Sequence, residues 1–258
     1  MKDMKEKTKK TKRKIKIYEK CFKRLIDFIG ALILLILLSP VMLVIAAISI
    51  FAVGRPIVFS QYRPGRDGKV FKLFKFRSMS NKKGKNGKLL PDAERVTKFG
   101  IFLRKSGLDE LLQLINILKG DMSFVGPRPR LVEDLVFYDE EALKAYRVRP
   151  GIAGVAQYKG GRVGCSWEDI FKYDAEYSEN ITFWGDVKII FKTFVSVLKK
   201  EWFANCCEGN KREYYYSNYL LKTGKITKDQ YNKGFVYSAK IIKEKGRVEF
   251  RKDLQQKK

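Results

Sequence analysis

The hydrophobic pattern of the chain is dominated by one uninterrupted apolar segment close to its beginning. No charged residue occurs between residues 28 and 53, where the sequence reads FIGALILLILLSPVMLVIAAISIFAV. A straight helix of this length would extend about 39 Å, which exceeds the roughly 30 Å hydrocarbon core of a bilayer. The segment therefore predicts a membrane-embedded helix, and a helix that crosses the bilayer is the first interpretation.

Two features favour a second interpretation, in which the segment enters and leaves the same leaflet. Ser39 and Pro40 lie near its middle, and proline removes one helical hydrogen bond and crowds the preceding turn. The Ser39 hydroxyl is a candidate partner for the carbonyl group that is left free. Basic residues also dominate both flanks, residues 1–24 and 55–72, and such flanks prefer the cytoplasmic side of a membrane. A helix–break–helix hairpin places both basic flanks on the cytoplasmic side, whereas a spanning helix places only one of them there.

Beyond Pro56 the pattern changes to short periodic segments. Residues 57–79 mix apolar and basic side chains and are interrupted by Pro64-Gly65, which predicts one or two short strands. Apolar positions at helical spacing then recur in five segments, and Gly120 is a stop signal for the second of them. The predicted helices comprise residues 95–105, 109–119, 131–148, 167–177 and 183–203.

The last of these helices has two interpretations. Trp184, Phe191 and Phe194 share one face, and several lysines lie outside it. Such a face either packs into the protein core or lies in a membrane interface, with the lysines at the level of the lipid headgroups.

These elements predict an α+β fold that is predominantly helical with short strands. It would combine a re-entrant membrane helix–break–helix with amphipathic interfacial helices. The predicted regions are a basic tail (residues 1–22), a membrane hairpin (23–54), a cytoplasmic catalytic domain (55–205) and a basic C-terminal extension (206–258). Within the extension, Thr227 and Gln230 have the spacing of a helix capping box, which predicts a small helical hairpin.

The charge of the chain narrows the range of partners. Its 258 residues include 54 Lys and Arg against 28 Asp and Glu, a formal net charge of +26. Such a surface suits polyanions, namely nucleic acid, anionic lipid headgroups or substrates that carry phosphate. A lysine-rich composition that serves only solubility is the alternative.

Residue types that are absent or scarce exclude several kinds of chemistry. The sequence contains no histidine, which excludes histidine bases, Ser–His and Cys–His nucleophile systems and His-ligated metals. The spacing of the four cysteines matches no zinc pattern and is typical of reduced cytoplasmic thiols. Acid–base or nucleophilic work therefore falls to Asp, Glu, Lys, Tyr or Cys.

Two adjacent acids, Asp109 and Glu110, stand out against this basic background because they open the predicted helix 109–119. Acids in a first helical turn offset the helix dipole, and this electrostatic role is the simplest interpretation. Arg104 and the proline-flanked Arg128 favour a chemical role, since arginine binds phosphate oxygens through two parallel hydrogen bonds. A carboxylate among such cations can hold Mg²⁺ and attack a phosphorus atom.

Five stretches of the sequence carry a resemblance to a known family. They read KRLIDF, LLSPV, GRPIVFSQYRPGRDGKVFKLFKFRSM, LRKSGLDELLQLINILKGDMSFVGPRPR and RPGIAGVAQYKGGR. In this order, between residues 23 and 198, they closely resemble the monotopic bacterial phosphoglycosyl transferases, the bacterial sugar transferase family. The resemblance implies transfer of a sugar-1-phosphate from a UDP-sugar to undecaprenyl phosphate, with release of UMP and a requirement for Mg²⁺. It also implies the re-entrant hairpin.

The resemblance assigns roles to individual residues. Asp109 resembles the nucleophile that attacks the β-phosphate and forms a phosphoglycosyl-aspartyl intermediate, and it is the implied Mg²⁺ contact. Neighbouring cations and Mg²⁺ are expected to keep it ionised at neutral pH. Glu110 resembles its partner in a carboxylate dyad. The residues implied at the substrate phosphates or the nucleotide are Lys75, Arg77, Arg104, Arg128, Gln157 and Arg162. The residues implied at the membrane are the headgroup-level pair Lys23 and Arg24 and the hinge Ser39 and Pro40.

The expected partners follow from this reaction. They are a UDP-sugar, undecaprenyl phosphate and anionic lipids of the inner leaflet, without nucleic acid, and a second copy of the chain is a further candidate. The expected location is the cytoplasmic face of the bacterial inner membrane, at the first membrane step of a glycan assembly pathway. Two rivals remain: a membrane-tethered nucleic-acid binder that uses the lysine-rich tails and EYYYSNY (residues 213–219), and a catalytically inert scaffold on a lipid surface.

Overall fold

The protein is predominantly helical and carries two small sheets. The computed structural model describes residues 15–160, 164–198 and 215–248 together with Leu254. The helices are α1 (Lys23–Ala52), α2 (Asp92–Arg95), α3 (Lys98–Ser106), α4 (Gln113–Lys119), α5 (Val132–Leu135), α6 (Glu140–Leu143), α7 (Val155–Tyr158), α8 (Trp167–Glu179), α9 (Phe183–Leu198), α10 (Tyr216–Lys222) and α11 (Lys228–Glu244). The strands are β1 (Val58–Pro64), β2 (Val70–Phe76), β3 (Ser123–Val125) and β4 (Gly151–Ala153). This composition confirms the predominantly helical α+β prediction.

The segment predicted to hold one or two strands forms two, which pair as an antiparallel hairpin. β1 pairs with β2 in a register that runs from Val58 opposite Phe76 to Pro64 opposite Val70. β1 ends at Pro64, where the sequence predicted the interruption. The second sheet is a parallel pair in which Ser123 of β3 lies opposite Gly151 of β4.

Helix α1 lies along the rest of the protein through one stripe of side chains. Ala31, Ile45 and Ser49 are buried, whereas Leu43 and Phe51 on other faces are 71% and 90% exposed. With 30 residues the helix is about 45 Å long, and both its halves contact the same body of the protein. Residues 18–52 are long and apolar enough to cross a membrane.

The predicted break at Ser39-Pro40 is not confirmed, because residues 23–52 are helical throughout, with Pro40 inside the helix. The predicted hydrogen bond is confirmed. Proline has no N–H to donate to the carbonyl group four residues earlier, that of Ile36. The Ser39 hydroxyl donates to this carbonyl oxygen at 2.8 Å, so the proline leaves no carbonyl group without a partner at this point.

The largest core cluster lies around α5 and includes side chains from both C-terminal helices. Val132 and Leu135 are buried there with Leu220 and Ile241. The predicted capping box and helical hairpin are confirmed, since the Thr227 and Gln230 side chains bond each other's backbone N–H groups at the start of α11. Side chains of the C-terminal extension therefore belong to the same hydrophobic core as α5.

The prediction of a single helix over residues 131–148 is wrong. The segment forms α5, α6 and a 3₁₀ turn at Lys144–Arg147. The Asp139 side chain accepts a hydrogen bond from the Ala142 N–H at 2.8 Å, which makes Asp139 the N-cap of a new helix. Local capping thus divides an apolar pattern that periodicity alone reads as continuous.

Candidate active site

The two acids lie in a separate turn between two helices. Helix α3 ends at Gly107, whose φ of 70° is left-handed, a conformation that favours glycine. A 3₁₀ turn, Leu108–Glu110, then holds both acids, and α4 begins at Gln113. The prediction that Asp109 and Glu110 open the α-helix is therefore wrong by about one turn.

Glu110 is held by two cations from distant parts of the chain. Its Oε1 atom accepts hydrogen bonds from Lys75 Nζ at 2.6 Å and from Arg128 Nη2 at 2.7 Å. Burial would raise the pKa of Glu110, but the charges and hydrogen bonds of Arg128 and Lys75 outweigh it and hold the pKa well below its usual range. Glu110 is therefore an ionised carboxylate that organises the cations around it.

Asp109 is a buried carboxylate that retains open acceptor positions. Its Oδ2 atom lies 3.8 Å from Lys75 Nζ, and its side chain is 12% exposed. No described residue donates a hydrogen bond to it within the chain's described ranges. Burial raises the pKa of Asp109, and the charge of Glu110 adds to this, while Lys75, Arg128 and Arg104 oppose it. Burial thus outweighs the neighbouring cations in setting the direction of the shift, and ionisation of Asp109 at neutral pH stays a prediction.

Three of the predicted cations surround this pair. Lys75 and Arg128 contact Glu110, and Arg104 contributes its charge at Asp109. Arg104 Nε donates to the Ser78 hydroxyl at 2.8 Å, a contact that connects α3 to the residues after β2. Arg77 differs, since its Nη1 atom donates to the Arg55 carbonyl oxygen at 3.3 Å.

The remaining predicted substrate residues lie elsewhere or outside the described ranges. Gln157 is buried in α7, and its Nε2 atom donates to the Ile152 carbonyl oxygen at 2.5 Å. Arg162 lies outside the described residues. A contact of either residue with a nucleotide stays a prediction.

The predicted headgroup pair makes contacts within the protein. Lys23 is buried, and its Nζ atom bonds Asp186 Oδ2 at 2.5 Å. Arg24 donates to the carbonyl oxygens of Ile117 and Leu118 at 2.6 and 2.7 Å, where a cation stabilises the C-terminal end of α4. The sequence reading did not anticipate these partners, and a headgroup contact by either residue stays a prediction.

Sequence reasoning missed the polar residues that join the elements of the site. Asn116 on α4 is fully buried, and its amide bonds the backbone of β2 at Lys72 and Phe74. Asp27 on α1 accepts hydrogen bonds from the Ser123 hydroxyl and the Phe124 N–H, both at 3.1 Å. The sequence did offer one signal, a polar residue inside an apolar stripe, as in LLQLINILKG. Such a residue indicates a buried hydrogen bond, but the sequence does not show which residue is its partner.

The carboxylates of the site limit the ways in which it could hold a metal ion. Within the described residues, no group of three or more His, Cys, Asp or Glu side chains could hold a metal. Mg²⁺ is, however, usually bound through one or two carboxylates together with substrate oxygens and water. The open acceptor positions of Asp109 fit that mode, so Asp109 is the residue that would hold the ion.

Comparison with known proteins shows which family the sequence matches. The family described as bacterial sugar transferase matches residues 18–200. An uncharacterised sugar transferase, EpsL, of Bacillus subtilis is 45% identical over 179 residues, which cover 69% of this chain and 88% of the relative. The UDP-glucose:undecaprenyl-phosphate glucose-1-phosphate transferase of Escherichia coli is 42% identical over 183 residues. The undecaprenyl-phosphate galactose phosphotransferase of Salmonella typhimurium is 34% identical over 196 residues.

The matches leave part of this chain and much of some relatives uncovered. The E. coli match covers 66% of this chain and 39% of the relative, and the S. typhimurium match covers 69% and 41%. The family match nonetheless extends across the apolar helix α1, the carboxylate pair and its cations. The chain therefore belongs to the bacterial sugar transferase family.

Proposed function

We propose that the protein transfers a sugar-1-phosphate from a UDP-sugar to undecaprenyl phosphate and releases UMP. The observation that carries the proposal is a buried carboxylate, Asp109, with open acceptor positions beside three cations. The names of the E. coli and S. typhimurium relatives, which specify undecaprenyl phosphate as acceptor, support the same reaction class.

The reaction proceeds in two displacements at one phosphorus atom. An Asp109 carboxylate oxygen attacks the β-phosphorus, a P–O bond to Asp109 forms, and the bond to the bridging oxygen breaks, so UMP departs with the electron pair. An oxygen of undecaprenyl phosphate then attacks the same phosphorus and expels the carboxylate. This covalent route uses a carboxylate as nucleophile, one of the groups that remain available in a chain without histidine.

The neighbouring cations match the charge that this chemistry must handle. Lys75 and Arg128 are oriented by Glu110 at 2.6 and 2.7 Å, so both cations can meet substrate phosphates without a large loss of side-chain entropy. Arg104 adds positive charge from helix α3. Mg²⁺, held by Asp109 and the substrate, would neutralise part of the diphosphate charge.

The membrane arrangement belongs to the same proposal. Both halves of α1 contact one body of the protein, through Asp27 near its start and Ile45 and Ser49 near its end. A helix that crossed a bilayer would place those ends on opposite sides, about 30 Å apart. A re-entrant arrangement at the cytoplasmic face of the inner membrane, with anionic lipids around it, keeps the protein body that contacts both halves on one side of the bilayer.

Helix α9 supports the same orientation. The face that sequence analysis assigned either to the core or to an interface is exposed, with Trp184, Phe191 and Phe194 at 76%, 66% and 60%. The core interpretation is therefore wrong for these side chains. Exposed aromatic residues beside Lys188 and Lys192 have the composition of an interfacial helix.

The decisive experiment is the intact mass of the protein after incubation with a UDP-sugar panel and Mg²⁺ in the absence of lipid acceptor. A sugar-phosphate adduct that maps to Asp109 is expected, with ping-pong kinetics once undecaprenyl phosphate is added. Asp109→Asn should abolish UMP release and the adduct, and Asp229→Asn, on an exposed face of α11, should change neither. Sequential kinetics without an adduct would contradict the covalent route.

Topology is tested separately, in intact cells. A cysteine introduced near Met1 should resist an impermeant thiol reagent applied from outside and should react after lysis. Efficient labelling from outside would contradict the re-entrant arrangement. Pro40→Ala should move the helix towards a spanning state, because proline favours a bend at this position and alanine does not.

A further inference from the structure

Asn116 is the one fully buried amide on α4, within the described part of that helix, whose hydrogen bonds reach a strand. Its Oδ1 atom accepts from the Phe74 N–H at 3.1 Å, and its Nδ2 atom donates to the Lys72 carbonyl oxygen at 2.8 Å. Nδ2 also lies 3.2 Å from Asp121 Oδ2. All the polar atoms of this amide are thus used inside the protein.

These contacts occupy the edge of β2 that faces away from β1. In a strand, backbone groups of alternate residues point to the same edge, so Lys72 and Phe74 face Asn116 together. The amide takes the place of a third strand at this edge. Lys75 is the next residue along the chain, so the hydrogen bond to Phe74 holds the backbone immediately before the lysine.

The same amide is tied to the carboxylate pair through its own helix. Asn116 lies in α4, which directly follows the 3₁₀ turn with Asp109 and Glu110. It therefore connects the helix behind the carboxylates to the strand that carries Lys75. The 2.6 Å contact of Lys75 Nζ with Glu110 and the 3.8 Å distance to Asp109 depend on how these two elements are aligned.

We propose that Asn116 is a positioning residue for the transfer reaction and acts through Lys75. No hydrogen bond joins it to the carboxylate pair. Its hydrogen bonds to Lys72 and Phe74 fix the position of β2 relative to α4. The proposal rests on the proposed function, because the effect on rate is transmitted through the cation that this function places at the substrate phosphates. Asn116→Ala would leave the Lys72 carbonyl group and the Phe74 N–H without this partner, and β2 would be free to shift.

A double-mutant cycle on UMP release tests the route through Lys75. Asn116→Ala and Lys75→Met are each expected to lower kcat/KM at least tenfold. In the Lys75→Met background, Asn116→Ala should lower it less than threefold further, since the residue it positions is already gone. Multiplicative losses would overturn the proposal. Ser217→Ala, which removes a buried hydroxyl that donates to Asp134, is the matched control and should retain wild-type activity.

Lysine labelling followed by mass spectrometry gives a readout that does not depend on turnover. Asn116→Ala should raise the labelling rate of Lys75 several-fold, while the buried Lys23 on α1 stays protected. An equal rise at both lysines would show general loosening and would overturn the proposal. Asn116→Leu preserves side-chain volume in α4 and carries the same tests if the alanine variant does not fold. Wild-type protein without UMP release would instead refute the proposed function, and unchanged labelling of Lys75 would refute the positioning role by itself.

Discussion

Replacement of Asp186 by asparagine tests whether Lys23 is a structural ion. Asp186 accepts hydrogen bonds from Lys23 Nζ at 2.5 Å and from the Tyr18 hydroxyl at 2.9 Å, and the Tyr177 hydroxyl lies 2.8 Å from its other oxygen. The Lys23 and Asp186 side chains are only 10% and 6% exposed. Asparagine keeps the shape of this junction between α1 and α9 and removes its negative charge.

The expected loss in the free energy of unfolding follows from the burial of the Lys23–Asp186 pair. Removal of one partner from a buried ion pair costs about 3–5 kcal/mol, because the other charge stays buried without compensation. Asp27 also lies within electrostatic range of Lys23, and it offsets part of this cost. We therefore expect Asp186→Asn to lower the free energy of unfolding by about 3 kcal/mol, at the low end of that range.

The assay is equilibrium unfolding by denaturant in a detergent or nanodisc that is held constant across variants. Asp229→Asn is the matched control, since Asp229 pairs with Lys233 at 2.7 Å on an exposed helix face. That pair should contribute less than about 1 kcal/mol. The double replacement Lys23→Met with Asp186→Asn should recover part of the loss, because neither member of this pair is then a buried charge, although Asp27 loses a neighbouring cation. A loss below about 1 kcal/mol for Asp186→Asn would refute this account of Lys23.

Three further predictions address other parts of the molecule. Arg128→Lys keeps the charge but loses the planar fork, so kcat/KM for UMP release should fall by the equivalent of about 1.5–3 kcal/mol, and equal activity would contradict a bidentate role. Gly100→Ala should destabilise the protein by about 1–3 kcal/mol in denaturant unfolding, because the added Cβ would lie 1.8 Å from the Ser78 carbonyl oxygen; a gain, as at an ordinary helical glycine, would refute this close approach. Burial raises the pKa of Asp174 to about 7, more than Arg130 offsets. Its stabilising contribution is therefore complete below about pH 4 and is lost as the pH rises through about 7, so Asp174→Asn should flatten the pH profile of unfolding in that window.

Local patterns were sufficient to predict much of the secondary structure and to single out the acidic pair Asp109 and Glu110. The apolar segment, the strand break at Pro64, the stop at Gly120 and the Thr227 capping box all depend on neighbours within a few positions. The two acids in a basic chain without histidine likewise indicated the class of chemistry before any contact was known. Each of these inferences needs only the geometry of the backbone near the residue concerned.

Tertiary contacts decided what local patterns leave open. Periodicity predicted one helix over residues 131–148, and the start of α6 at its Asp139 cap was missed because capping competes with periodicity. Arg77 lies just beyond β2, where strand alternation no longer constrains its direction, and it turns to Arg55.

The charged groups of the site meet across long separations in the chain. Lys75 and Arg128 converge on Glu110 from 35 and 18 positions away, and Lys23 meets Asp186 across 163 positions. The burial that raises the pKa of Asp109 is likewise a property of the assembled site. These outcomes depend on how helices and strands pack against one another, and a sequence pattern records the composition of each face without naming the surface that will cover it.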